Sequence, residues 1–225
     1  MPAHKLPFKE FGWTPEMAYA VGLLTTDGNL SKNGRSIAMR SSDIQQLEAF
    51  RSCLGIQNKI SQTYNNGWAK KPSYVIQFGS IQLYNWLLTI GLFPAKTYTI
   101  GEMKIPDEYF RDFLRGHLDG DGCISTYIDK WNTFKNSKYI YTRLWTRFIS
   151  ASENHIKWLR KNIAQLTNCN GHIWEAKPKR KIQTTSMWVL KFGKKDSIKL
   201  LSWLYYSPDV PCLKRKRDIA ENFIN

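Results

Sequence analysis

The chain lacks most of what would mark a secreted or membrane protein. Its four cysteines, Cys53, Cys123, Cys169 and Cys212, stand far apart with no C-x-x-C pair, which argues against a zinc knuckle or a disulfide framework. No apolar run approaches the roughly 18 residues that a membrane-spanning helix needs, and the opening MPAHKLPFKEFGW has no apolar signal-peptide core. Acidic residues are also scarce. Only 18 Asp and Glu stand against 33 Lys and Arg, giving a net charge of +15 and a pI near 9.7. The expectation is a protein that is not secreted, cytoplasmic or organellar, and bound to a polyanion rather than to a membrane. Basic and aromatic residues interleave in segments such as YTRLWTRF, which makes that polyanion a nucleic acid. With 42% hydrophobic residues over 225 positions the chain has ample material for a core.

What is present is a pattern written twice. AVGLLTTDG (20–28) reads as an apolar helix stopping on Asp-Gly, and a hairpin signal at Asn33-Gly34 follows. A second helix begins after Ser42 or Asp43 and ends at Gly55, with Ile44, Leu47, Phe50 and Leu54 at helical spacing. A second hairpin turns at Asn66-Gly67, and a third helix ends near Gly91 and Pro94. From Pro106 the order returns: LRGHLDGDG (114–122), two strands around a polar loop, the helix SENHIKWLRKNIAQL, two more strands and a last helix. SYVIQFGS (73–80) and MWVLKFGKKDS (187–197) give the clearest match between the copies. The fold class is therefore α+β, two pseudo-symmetric αββαββα repeats, with residues 1–104 as the first and 105–225 as the second.

Each motif helix carries a small-residue stripe: Ala18, Gly22 and Thr26 in one, Gly116 and Gly120 in the other. A glycine inside a helix costs roughly 1 kcal/mol relative to alanine, so two at matching places predict that the helices dock on each other closely. The Asp-Gly ends need a separate reason. A carboxylate at a helix C-terminus meets the negative end of the dipole, and a cation reverses that penalty. If the helices pair in parallel, Asp27 and Asp121 converge, and the carbonyls of Thr26 and Gly120 add neutral oxygens, a hard donor set suited to Mg²⁺. An EF-hand fails because the register of DGDGCIS puts His117 at the first ligand position and Ile128 at the twelfth. His4, His117, His155 and His172 show no mutual metal spacing and read as ordinary residues.

On AVGLLTTDG and LRGHLDGDG, and on the repeat order around them, the chain resembles the two-motif, monomeric LAGLIDADG homing endonucleases over nearly its whole length. The first motif differs in Thr25, where the family often has an acid, and in Thr26, where it has Ala or Gly. The resemblance implies two saddle-shaped antiparallel sheets lying in the DNA major groove, above a metal site formed by Asp27 and Asp121 with the Thr26 and Gly120 carbonyls. It implies Mg²⁺ as cofactor, with Ca²⁺ or Mn²⁺ as substitutes for binding or activity, and hydrolysis of both strands of a long duplex target. It also implies a catalytic lysine after the third helix of each repeat, at Lys96 and at Lys216, with Lys214 as the alternative in the second. Ser42 or Asp43, and Ser152, stand where the family places a polar side chain that organises water. An RNA maturase assisting intron splicing and a DNA-binding regulator that does not cleave are alternatives on the same scaffold.

Strand alternation selects the side chains that face DNA. With Ile37 and Met39 inward, Ser36, Ala38 and Arg40 point out. Lys59, Ser61, Thr63, Val75 and Gln77 complete the first face, with Lys32 and Arg35 at its hairpin turn. Arg143, Trp145, Arg147, Val189 and Lys191 form the second. Lys177, Lys179, Arg180 and Lys181 suit phosphate contacts on a turn.

Overall fold

The structure, a computed structural model, describes residues 11–63, 72–178 and 185–224. The expected Asn66-Gly67 turn and the phosphate candidates Lys179, Arg180 and Lys181 lie outside the described residues. Helix α1 (Pro15–Asp27) starts where the Thr14 hydroxyl accepts from the Met17 N–H at 3.1 Å, with Pro15 preset for the first turn. Every residue from Met17 to Thr25 is buried, the mark of a helix enclosed on all sides. Strands β1 (Gly28–Leu30) and β2 (Ser36–Ser41), helix α2 (Ile44–Leu54), strands β3 (Ser61–Thr63) and β4 (Ser73–Gly79) and helix α3 (Ile81–Thr89) follow. A 3₁₀ turn at Lys96–Tyr98 leads to α4 (Asp107–Asp121), and the order recurs as β5 (Cys123–Asp129), β6 (Tyr141–Ser150), α5 (Glu153–Thr167), β7 (His172–Ala176), β8 (Met187–Phe192) and α6 (Lys194–Leu204).

The expected αββαββα repeat is present twice, with one addition. The basic stretch after Leu213, read from sequence as the end of the second copy, forms a further helix, α7 (Lys214–Ile224). Each half has a four-stranded antiparallel sheet of matching order, β1-β2-β4-β3 and β5-β6-β8-β7. Helix α2 packs on β2 and β4, and α5 on β6 and β8, burying Ile37, Met39, Ile76 and Phe78 in one half and Leu144, Phe148, Leu190 and Phe192 in the other.

The halves are joined through α1 and α4, backbone against backbone. A Cβ added at Gly22 would sit 2.1 Å from the Phe113 carbonyl oxygen, and one at Gly116 would sit 2.1 Å from that of Tyr19. Nearer the ends the fit reverses: Thr26 occupies the space opposite Gly120, where a Cβ would fall 1.9 Å from its hydroxyl. Both helices leave their last turn identically. Gly28 and Gly122 go extended while their N–H groups still donate to Leu24 and Leu118 carbonyls, and a Cβ at either would strike those same leucines at 2.5 to 2.6 Å. The Gly of each Asp-Gly thus lets the chain pass from central helix directly into sheet.

Because nothing flexible fills the contact, Gly116→Ala must push the helices apart. It should destabilise the fold by about 2 kcal/mol or more in urea unfolding, even though alanine is the better helix former by about 1 kcal/mol.

Candidate active site

The two helix ends bring Asp27 and Asp121 together. Asp27 is half-buried; its Oδ2 accepts from Gln46 Nε2 at 3.0 Å and from the Thr26 hydroxyl at 3.4 Å. Gln46 is itself buried and accepts the Ser41 hydroxyl proton at 2.7 Å, which fixes its amide. Burial, and next the negative charge of Asp121, push the Asp27 carboxyl up to about 6 against the opposing pull of Gln46. Asp121 keeps more contact with solvent; lost hydration still raises its pKa, against Lys216 and Lys96.

Both expected lysines are buried, and both grip the ends of the motif helices. Lys96 Nζ donates to the Gly28 carbonyl at 2.5 Å. Lys216 Nζ donates to the carbonyls of Leu118, Asp119 and Gly122 at 2.5, 2.9 and 2.8 Å. An ammonium on the last-turn carbonyls answers the dipole that a terminal aspartate would aggravate. Lys214, by contrast, is exposed. The two ammonium groups are not equivalent. Lys216 uses all three of its hydrogens on carbonyls, whereas Lys96 has hydrogens to spare and lines a cavity beside Asp121. Burial lowers the Lys96 pKa to about 8 while Asp121 and Asp27 hold it up, so it stays mostly charged at neutral pH.

Each carboxylate opens on its own cavity. One of about 300 Å³ is bordered by Asp27, Gln46, Arg40, Asp43 and Arg215, and one of about 130 Å³ by Asp121, Lys96, Thr26 and His155. No three His, Cys, Asp or Glu side chains among the described residues gather closely enough to enclose a metal. Two acids, both raised by burial and the first also by the charge of the second, meet at these ends. That fits a hard ion such as Mg²⁺, which takes one or two carboxylates and fills its remaining positions with water and phosphate oxygen.

The structure also places the residues expected to face DNA. Ser36, Ala38 and Arg40 lie on the side of β2 opposite the buried Ile37 and Met39, and Arg40 pairs across to Val75, which pairs on to Ser61. Gln77, Lys59, Lys32 and Arg35 are exposed, and Thr63 is half-buried at the end of β3. In the second half Arg143, Trp145 and Arg147 share one side of β6. Arg143 forms an ion pair with Asp129 at 2.7 Å, and Arg147 donates to the Ser125 hydroxyl at 2.9 Å. The Lys191 ammonium stands 3.3 Å over the Trp145 ring. Lys177 is exposed. Val189 points to the same side but is only 5% exposed, flanked across the sheet by Ile149 and Trp174, so it packs rather than reads.

Several buried polar groups escape sequence reading. Gln46, not Ser42 or Asp43, touches Asp27; Asp43 instead caps α2 and pairs with Arg215 of α7 at 3.1 Å. Ser152 caps α5 and donates to the Ile100 carbonyl. His117 and His155, ordinary by spacing, meet Nε2 to Nε2 at 3.1 Å. Burial holds both neutral, His155 down to about 4. Gln46 and His155 occupy matching places, each the third residue after the cap of the second helix in its repeat.

No family model and no curated protein matches the chain. Solved structures do. DUF199/WhiA from Thermatoga maritima is similar over 97% of this chain with a TM-score of 0.56 at 16% identity, and the chain spans 62% of that protein's length. The I-LtrWI LAGLIDADG homing endonuclease bound to target DNA is similar over 93% of this chain and 88% of its own, with a TM-score of 0.60 at 14% identity. I-DmoI in complex with DNA and Ca is similar over 92% and 97%, with a TM-score of 0.55 at 16% identity. The chain therefore has the two-repeat LAGLIDADG fold, shared with homing endonucleases and with WhiA.

The raised Asp27 pKa carries a sign. The native protein binds this proton more tightly than the unfolded chain, so the metal-free fold is most stable below pH 4 as far as Asp27 is concerned, and loses stability as pH rises through 6. The shift from 3.8 to about 6 corresponds to at most about 3 kcal/mol, less what solvent screens. In EDTA, Asp27→Asn should raise the Tm at pH 8 and leave it nearly unchanged at pH 4. An equal change at both pH values would show that Asp27 is not strained by its neighbours.

Proposed function

We propose that the protein is a site-specific endonuclease that hydrolyses both strands of a long duplex DNA target with a divalent metal ion. The observation that carries this is the pair of carboxylates at the ends of two backbone-packed helices, each beside a buried lysine and its own cavity. The LAGLIDADG fold is found in homing endonucleases bound to DNA and also in WhiA. The fold by itself therefore does not separate cutting from binding; the carboxylate pair supports cutting, because a protein that only binds polyanionic DNA gains nothing from an acid raised by burial and by the charge of a second acid.

A metal ion held by Asp27 and Asp121 would polarise the scissile phosphate and acidify a bound water. The chain's own residues do the rest. Gln46 orients the Asp27 carboxylate. Lys96, with free hydrogens beside Asp121, is set to stabilise charge developing on phosphate. Lys216 is fully engaged by carbonyls, so its part is to hold the end of α4, and with it Asp121, in position. The outward rows of the two sheets supply the contacts to bases, with Arg40, Arg147 and Gln77 the side chains best suited to base edges. A protein of this size can act as a monomer, because both motifs and both sheets lie in one chain.

Two outcomes test the proposal. Asp27→Asn and Asp121→Asn should each abolish double-strand cleavage in Mg²⁺ while DNA affinity stays equal or rises, since a negative charge near phosphate is removed. Lys96→Met should slow cleavage with little loss of stability, whereas Lys216→Met should lower the Tm as well. Cleavage by Asp27→Asn at the wild-type rate would end the shared-metal reading. Binding to duplex DNA should weaken with salt: if about 6 phosphates are neutralised, log affinity should fall against log salt with a slope near −5. A flat profile would remove DNA as the partner.

A further inference from the structure

Two surface features away from the carboxylate site depart from their surroundings in opposite ways. The first is the hairpin that joins β5 and β6 through residues 130–140, longer than residues 31–35 that join β1 and β2 in the first half. Thr126, Tyr127, Tyr141 and Thr142 are all exposed, so the ribbon has left the helices beneath it and stands out as an arm. At its tip Trp131 is 82% and Phe134 is 74% exposed, the most exposed large aromatic groups among the described residues. Trp131 N–H donates to Asp129 Oδ1 at 3.0 Å and Lys138 N–H to Asn136 Oδ1 at 2.9 Å, which holds the tip in shape. Asp129 is paired with Arg143 at 2.7 Å, so Lys130, Lys135 and Lys138 are left as the charge of the tip.

The second feature is a groove of about 750 Å³ between α2, the first turn of α1 and the stretch from Pro208 into α7. Gln45, Glu48, Ala49, Ser52 and Cys53 line it at helical spacing, on the side of α2 turned away from the buried Leu47 and Phe50. Val210 and Pro211 face them from the second half. Glu16, Glu48, Asp209 and Asp218 stand exposed around this apolar floor and form no ion pair among the described residues. Arg217 cannot neutralise them, because its hydrogens go to Glu221 and to the Pro208 and Ser207 carbonyls. In a chain of net charge +15, this one groove is lined by five acids and two bases.

The arm and the groove complement each other. Exposed rings call for an apolar surface to cover them, and the bases of a duplex, already paired and stacked, have no free face to give. The groove has such a surface, with four carboxylates around it for three lysines. The arm cannot fill the groove of its own chain. Its strand is regular from Cys123 to Asp129, about 20 Å at about 3.4 Å per residue, and α7 is held at the Gly122 end of that strand. The tip is therefore carried away from α7 and the groove beside it. We propose that the groove is the docking site for the arm of a second copy of this chain, with Trp131 and Phe134 over Ala49, Val210 and Pro211, and the three lysines against the acidic rim. The contact is heterologous, arm to groove, so each copy offers one donor and one acceptor. Two rings bury about 300 to 500 Å² between them. With the groove side counted, the interface stays below about 1,200 Å², in the weak and transient class. Copies associate at micromolar concentration or above and separate on dilution.

Sedimentation of the full-length wild type without DNA, over a series from micromolar to millimolar, should show a mean mass rising above 26.3 kDa. An arm variant, Trp131→Ala with Phe134→Ala, and a groove variant, Glu48→Lys with Asp218→Lys, change exposed side chains only and are checked for an unchanged circular-dichroism melt. Each alone should need at least about tenfold more protein to associate. Mixed in equal amounts, they should pair near the wild-type concentration and stop at two chains, because the mixture holds one intact groove for each intact arm and neither can be extended. A wild type that stays monomeric throughout the series overturns the proposal. So does an arm or groove variant that associates as the wild type does, which places the contact elsewhere, or a mixture that fails to pair. None of these measurements involves DNA or the carboxylates, so the endonuclease reading stands or falls separately.

Discussion

Everything in this molecule hangs on two helices touching without side chains between them. Gly22 and Gly116 let α1 and α4 approach until the backbone of each lies where a Cβ of the other would be. That contact fixes the distance between the two Asp-Gly ends, and since β1 and β5 begin at the following glycines, it fixes both sheets as well. A helix that was merely amphipathic could slide along or rotate against its neighbour. A helix locked at glycine has one register, and on the endonuclease reading that is what two carboxylates sharing an ion require.

Around that symmetric contact the chemistry is unequal. Asp27 receives an amide hydrogen bond from Gln46; the corresponding position beside Asp121 is His155, which is engaged with His117 and the Gly101 carbonyl instead. Lys96 keeps hydrogens free, whereas Lys216 spends all of its own on carbonyls. The duplicated chain has thus kept the frame and let the two sites diverge. On the endonuclease reading, the two strands of a target meet different surroundings, and their cleavage rates have no reason to match.

The frame was legible because it is written in short-range signals. The turn at Asn33-Gly34, the cap at Asp43, alternation around Ile37 and Met39, and the spacing of Gly22 and Gly116 are all local, and each is present in the structure. The assignments that failed or were absent depend on residues distant in sequence. Gln46 is one polar residue among several on α2, and only the fold shows it against Asp27, 19 positions earlier. The His117 and His155 contact spans 38 residues and has no periodicity to announce it. Val189 alternates correctly, but no pattern within β8 tells that it is buried between its sheet neighbours Ile149 and Trp174. The stretch after Leu213 gives little helix signal in sequence because its lysines and arginines dominate; the apolar side of α7, with Ala220 buried, is sparse.

Lys216 gives the last helix a timing role. Its ammonium closes the end of α4 from 98 residues downstream, so as the chain leaves the ribosome the first motif helix, both sheets and the second aspartate all emerge before the group that fixes the second helix end. A nascent chain stopped anywhere short of α7 can hold both sheets and still lack the group that fixes the end of α4. On the endonuclease reading, cleavage waits until synthesis has passed that lysine.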